Sequence, residues 1–75
     1  MSLSDFVIHI DENMDELAAN EIEDAACACD GVVSAHISEH HPHLMTVAYD
    51  PNLARSSHIL DAVQTLGLHG QLIGL

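Results

Sequence analysis

Seven histidines and twelve carboxylates stand against a single arginine in 75 residues, so the side chains able to do chemistry here are imidazoles and acids. Three imidazoles crowd one short stretch, Glu39-His40-His41-Pro42-His43. Neutral imidazole ligates Zn, Ni, Co and Cu(II), while carboxylates suit harder ions. The densest acidic stretch near the amino terminus is Asp11-Glu12-Asn13-Met14-Asp15-Glu16. If the two stretches meet, His40, His41, His43, Asp11, Glu12 and Asp15 make a mixed nitrogen–oxygen site for a divalent transition metal. A second candidate pairs His9 with His69, and His36 joins them if its side chain reaches. The spacing His-His-x-His is far less specific than a repeated Cys-x-x-Cys. The competing account is a solvated turn in an acidic protein.

Cys27-Ala28-Cys29 reads differently. Residues two apart on a helix point about 200° apart, so both sulfurs cannot easily grip one ion while the helix holds. Cys29 falls on an apolar stripe and is expected to behave as a small buried hydrophobe, with Cys27 more exposed. Met45 reads as core, Met14 as the lip of the first loop, and His58 as solvated. No nucleophile elbow, phosphate-cradling glycine loop or paired general acid and base is present. An enzyme is not expected.

The elements that must position these groups follow from periodicity. Phe6-Val7-Ile8-His9-Ile10 alternates as a half-buried strand with Phe6, Ile8 and Ile10 inward. Acidic residues then suit the start of a helix, expected over about 14–29, with Leu17 or Ala18, Ile22, Ala25, Ala26 and Cys29 on one face. Asp30-Gly31 ends it. Residues 33–38 and 44–49 alternate again, with a hairpin loop at 39–43. Asp50-Pro51-Asn52 breaks the third strand. A second helix is expected over 56–66, burying Ile59, Val63 and Leu66 and stopped by Gly67, before a last strand over 68–73.

The order β-α-β-β-α-β, without linker or repeat, predicts one domain over 1–75. Its class is α+β, a ferredoxin-like sandwich with a four-stranded antiparallel sheet in the order 4-1-3-2 and both helices on one face. That topology brings the first loop, the His-rich hairpin and the Gly67-Leu68-His69 turn to one end of the molecule.

Composition narrows the partners. Hydrophobic residues make up 48% of the chain, enough for a globular core, and aromatics only 3%, so Leu, Ile, Val, Ala and Met must fill it. The formal net charge of −11 excludes the clustered Lys and Arg that nucleic acid or an anionic membrane requires. Cations, basic proteins and salty surroundings suit it better. Met1-Ser2-Leu3-Ser4-Asp5 has no basic leader character, and no apolar stretch reaches spanning length. A cytoplasmic protein is therefore expected, and the sparse cysteines agree with a reducing compartment.

The first strand, Asp30-Gly31-Val32-Val33-Ser34-Ala35-His36-Ile37, Thr46-Val47-Ala48-Tyr49-Asp50-Pro51 and Ile59-Leu60-Asp61-Ala62-Val63-Gln64-Thr65-Leu66-Gly67-Leu68 together carry a family likeness. Across nearly its whole length the chain resembles the heavy-metal-associated domain of copper chaperones, mercury-binding proteins and the amino-terminal modules of metal-transporting ATPases. The resemblance implies the fold above and a role in metal binding or trafficking with a metal-handling partner. The family's ligands lie in a Met-x-Cys-x-x-Cys motif of the first loop. Here those positions fall on Asn13, Asp15 and Ala18, or on Met14, Glu16 and Ala19, and neither register supplies a thiol. Leu68 stands where the family often has an aromatic residue. No ligand residue carries over.

Two functions are thus in play. One is a metal-binding and metal-trafficking domain using His and carboxylate ligands in place of thiols. The alternative is a degenerate domain that binds no metal and serves as an interaction or oligomerisation module. Its open sheet face, with Val7, His9, His36, Thr46 and Ala48, would then pair with a second copy as a homodimer. An amino-acid-binding regulatory domain shares the topology, but no loop signature favours it.

Overall fold

A strand with one face in the core must alternate, and the segment from Ser4 to Ile10 does so: Phe6, Ile8 and Ile10 are buried, Val7 and His9 half-buried. The computed structural model describes residues 2–73. In chain order its elements are β1 (Ser4–Ile10), α1 (Glu16–Cys27), β2 (Val32–Ile37), β3 (Leu44–Tyr49), α2 (Ser56–Gln64) and β4 (Gly70–Ile73). The strands form one antiparallel sheet in the order β2-β3-β1-β4, the expected arrangement read from its other edge. Within it Ile8 pairs with Met45 and Leu72, and His9 with Leu44 and Gln71.

The core is aliphatic, as the scarcity of aromatics requires. Ile8, Ile10, Met45 and Val47 of the sheet pack against Ile22 and Ala26 of α1 and Ile59 and Val63 of α2. Phe6 and Tyr49 meet edge to face at 5.3 Å, a preferred aromatic geometry.

Element ends depart from the sequence expectations, each for a local reason. Helix α1 starts at Glu16 rather than at Met14, because the Asp15 carboxylate accepts from the Ala18 backbone N–H at 2.8 Å and caps the helix. Such a cap satisfies an amide that the first turn leaves without a partner. Leu17 is exposed and Ala18 only half-buried, and Ala19 packs on the core instead. Leu17 precedes Ile22 by five positions, about 140° around the helix. The same helix ends at Cys27, so Cys29 lies beyond it. Cys29 is only half-buried, though it still packs on the core, and Cys27 is exposed as expected.

Helix α2 stops at Gln64. The Leu66 and Gly67 amides then donate three residues back, to Val63 and Gln64. That tighter turn points Leu66 into solvent, contrary to expectation, and Leu68 packs on the core in its place. The last strand is shorter than expected, and β2 begins one residue early with a register shift between Val32 and Ser34. Among the described residues no helix is long and apolar enough to cross a membrane.

Candidate functional site

Three loops meet at one end of the sheet, and main-chain hydrogen bonds hold them there. The Ile10 amide donates to the His43 carbonyl at 2.8 Å, and the Asp11 amide donates to the His69 carbonyl at 2.9 Å. These bonds extend the β1–β3 and β1–β4 ladders one step past the strand ends. The acidic loop, the His-rich hairpin and the turn before β4 are therefore neighbours, as the topology predicts.

The histidines at this end are engaged through one particular nitrogen. His43 is half-buried and its Nδ1 lies 2.8 Å from the Ile10 carbonyl oxygen. A carbonyl only accepts, so Nδ1 carries the proton there. His69 is exposed, and Glu12 holds it twice: Oε1 accepts from the His69 backbone N–H at 2.8 Å, and Oε2 lies 2.5 Å from Nδ1. The hydrogen bond from the imidazole lowers the pKa of Glu12, and the same carboxylate raises that of His69. His9 Nδ1 is buried and lies 3.1 Å from Asp11 Oδ1, but off the line of a hydrogen bond, so contact with the carboxylate leaves it without a hydrogen-bond partner. The His9 and His43 rings stack with centroids 6.0 Å apart and planes inclined by 21°.

Of the first candidate set, His43, Asp11 and Glu12 stand at this corner. His40 and His41 are exposed on the hairpin, where the His40 and His41 amides are tied to Ser38. Asp15 is occupied as the α1 cap. Of the second set, His9 and His69 flank Asp11 and Glu12, but His36 sits on β2, the edge strand farthest from β4. Strand β3 separates it from β1, and its Nδ1 lies 3.7 Å from Glu23 of α1. Glu23 is in turn held by the Ile37 amide at 2.7 Å. Among the described residues no three His, Cys, Asp or Glu side chains converge as they stand to enclose an ion.

Sequence reasoning missed the pairing of each acid with an imidazole. One signal was available: His9 and Asp11 are two apart on an extended chain and so share a face. It also missed a groove of about 460 Å³ between α1 and the hairpin, lined by residues that include Met14, Asp15, Glu23, His36, Glu39 and Pro42. Met14 rests on the core at its edge. The sulfurs lie at the other end of α1, where burial, and secondarily Asp30 and Cys27, push the Cys29 thiol pKa up.

No family model matches this chain, and no curated protein matches it significantly. Its fold does have solved counterparts. The N-terminal domain of a potential copper-translocating P-type ATPase from Bacillus subtilis, in its Cu(I)-loaded state, superposes with a TM-score of 0.87 at 27% identity, covering 97% of this chain and 90% of that one. Oxidized MerP from Ralstonia metallidurans CH34 gives 0.86 at 10% identity, covering 97% of this chain and 100% of that one. The copper chaperone of Enterococcus hirae, in its apo form, gives 0.81 at 18% identity, with 91% and 98% covered. The fold is of heavy-metal-associated type. A soft ion between two thiolates does not fit the residues of the first loop, which are oxygen donors with Met14 the sole sulfur.

Proposed function

We propose that this chain is a non-enzymatic metal-handling domain that binds a divalent transition ion at its loop end through imidazole and carboxylate rather than thiolate. The observation that carries the reading is the joining of three loops by the Ile10–His43 and Asp11–His69 backbone bonds, which gathers His9, His43, His69, Asp11 and Glu12 at one corner. His40 and His41 stand close by on an exposed hairpin and can add to the ligand set. Nitrogen donors of this kind favour Zn, Ni, Co or Cu(II) over Cu(I). The fold likeness to copper-handling domains supports ion carriage, with reversible ligation at an exposed end and transfer to a docked partner. A surface of net charge −11 favours a basic partner protein.

Calorimetric titration of the apo protein with Zn(II), Ni(II), Co(II) and Cu(II) tests this. The expected result is saturable one-to-one binding at micromolar or tighter Kd. A chain with His40, His41 and His43 all changed to Ala divides that binding between the hairpin and the sheet histidines. Weak binding at many sites would sink the proposal.

A second reading has its own observation. Val7, Leu44 and Ala48 are half-buried on the sheet face away from the helices, and Ile73, paired with Val7, is exposed. An interaction module that dimerises through this face would show concentration-dependent sedimentation without metal, lost on substituting His9 or His36.

A further inference from the structure

At the loop corner, each of three imidazoles turns Nδ1 toward an oxygen. His43 Nδ1 donates to the Ile10 carbonyl at 2.8 Å, and His69 Nδ1 meets Glu12 Oε2 at 2.5 Å. His9 Nδ1 is buried against Asp11 Oδ1 at 3.1 Å, so an ion can approach that ring only at Nε2. In His43 and His69 the acceptor fixes the proton at Nδ1 in the neutral ring and leaves the Nε2 lone pair bare; in His9 the burial of Nδ1 leaves Nε2 as the open nitrogen. A ligating histidine held by a carboxylate or a backbone carbonyl at its other nitrogen has this same arrangement.

We infer that the Nε2 atoms of His9, His43 and His69 are the ion's ligands, and that Asp11 and Glu12 orient the rings instead of binding the ion. This rests on the metal-handling reading and sharpens it. It gives the two carboxylates a different task and moves the site from the hairpin tip to the junction of β1, β3 and β4. The spacing is within reach. His9 and His43 already stack at 6.0 Å. His9 pairs with Gln71, which places His69 diagonally across from it, and such neighbours lie about 7–8 Å apart. His69 is 81% exposed, so its ring can turn inward when an ion supplies the attraction. Three imidazoles with the remaining positions open to water or to a partner's ligand suit Zn, Ni, Co or Cu(II).

The test is long-range proton–nitrogen NMR of ¹⁵N-labelled protein at about pH 8, first without metal and then with one equivalent of Zn(II). Without metal, His43 and His69 should show a protonated Nδ1 and a bare Nε2. With Zn(II), the Nε2 signals of His9, His43 and His69 should shift while Nδ1 stays protonated. In parallel titrations, Asp11→Asn and Glu12→Gln should each weaken Zn(II) binding about 10–100-fold and leave the stoichiometry at one. The inference fails if His43 or His69 is protonated at Nε2 in the metal-free protein, or if either carboxylate variant abolishes the bound ion. It also fails, with metal handling intact, if Zn(II) shifts His40 and His41 and leaves the three corner rings unmoved. If Zn(II), Ni(II), Co(II) and Cu(II) all fail to bind, both readings fall together.

Discussion

The two ends of this sheet are built to different rules. At the loop end the contacts are made by polar side chains: His43 on the Ile10 carbonyl, Glu12 on His69, and Asp11 beside His9. At the opposite end the backbone itself is pressed together. Gly31 takes φ +88°, its carbonyl accepts from the Asp50 amide at 2.8 Å, and a Cβ built there would stand 2.8 Å from the Leu53 Cβ and 2.9 Å from the Ala54 Cβ. The chain returning from β3 folds over Gly31 through the turn that Asp50 organises, with the Asn52 amide on its side chain. One end is thus closed by shape and intolerant of added atoms. The other is held by two backbone bonds and by directional side-chain bonds that water and ions can also satisfy. The difference separates a structural seam from a place where ligands can be exchanged without unfolding.

The largest expected effect breaks the seam. Gly31→Ala adds both a left-handed strain and a collision with two Cβ atoms, together costing about 3 kcal/mol or more. In a domain this small that is most of the net stability. Gly67 has nearly the same φ, +87°, but nothing lies within 4 Å of an added Cβ. Gly67→Ala should therefore cost only the backbone strain, about 1–2 kcal/mol. Urea unfolding of both variants measures the gap, and equal costs would show that the seam is not close-packed.

At the loop end, Asp15→Ala should remove the α1 cap and cost about 1 kcal/mol, with Asp15→Asn or Asp15→Ser recovering most of it. Asp15 is spent on the Ala18 amide, so the Ala variant should bind ions as the parent does once compared at temperatures where both are fully folded. Loss of ion affinity in the folded variant would return Asp15 to the ligand set. A smaller contrast concerns the sulfurs at the seam end. Cys27 is exposed and Cys29 sits part-buried with its thiol pKa raised. A thiol reagent at neutral pH should label Cys27 first, because the thiolate is the reacting species. Labelling of Cys29 first would mean that this end opens readily.

Most of the fold was legible because it depends on periodicity. Phe6, Ile8, Ile10, Met45 and Val47 alternate as strands must, and Ile22, Ala26, Ile59 and Val63 recur as helix faces must. The failures fall where a single local bond decides the geometry. Leu17 and Leu66 are apolar and near the right spacing, but the Asp15 cap sets the phase of α1, and the three-residue turn after Gln64 rotates Leu66 outward. The meeting of the three loops was also legible, since it follows from strand order alone. Which acid pairs with which imidazole was not. Glu12 and His69 are 57 positions apart, and no spacing rule links them before the register of β1 and β4 is known.

That pair gives the smallest and most specific effect. The Glu12 carboxylate raises the pKa of His69, and the hydrogen bond from His69 lowers that of Glu12. A raised histidine stabilises the fold fully below its unfolded value of about 6.5 and loses that contribution as pH climbs through the higher folded value. A lowered carboxylate contributes above its unfolded value of about 4.3 and loses this as pH falls through the lower folded value. The two windows overlap between about pH 4.3 and 6.5, where both groups are charged and the pair does most for stability. Solvent screens His69, so the gain in stability is slight and should shrink further in high salt. NMR titration reads it directly. The His69 pKa should lie above that of a free histidine in the parent and fall back in Glu12→Gln. A His69 pKa unmoved by the substitution would mean that Glu12 does not hold the ring in solution, and the loop corner would lose the orienting contact that distinguishes it from the seam.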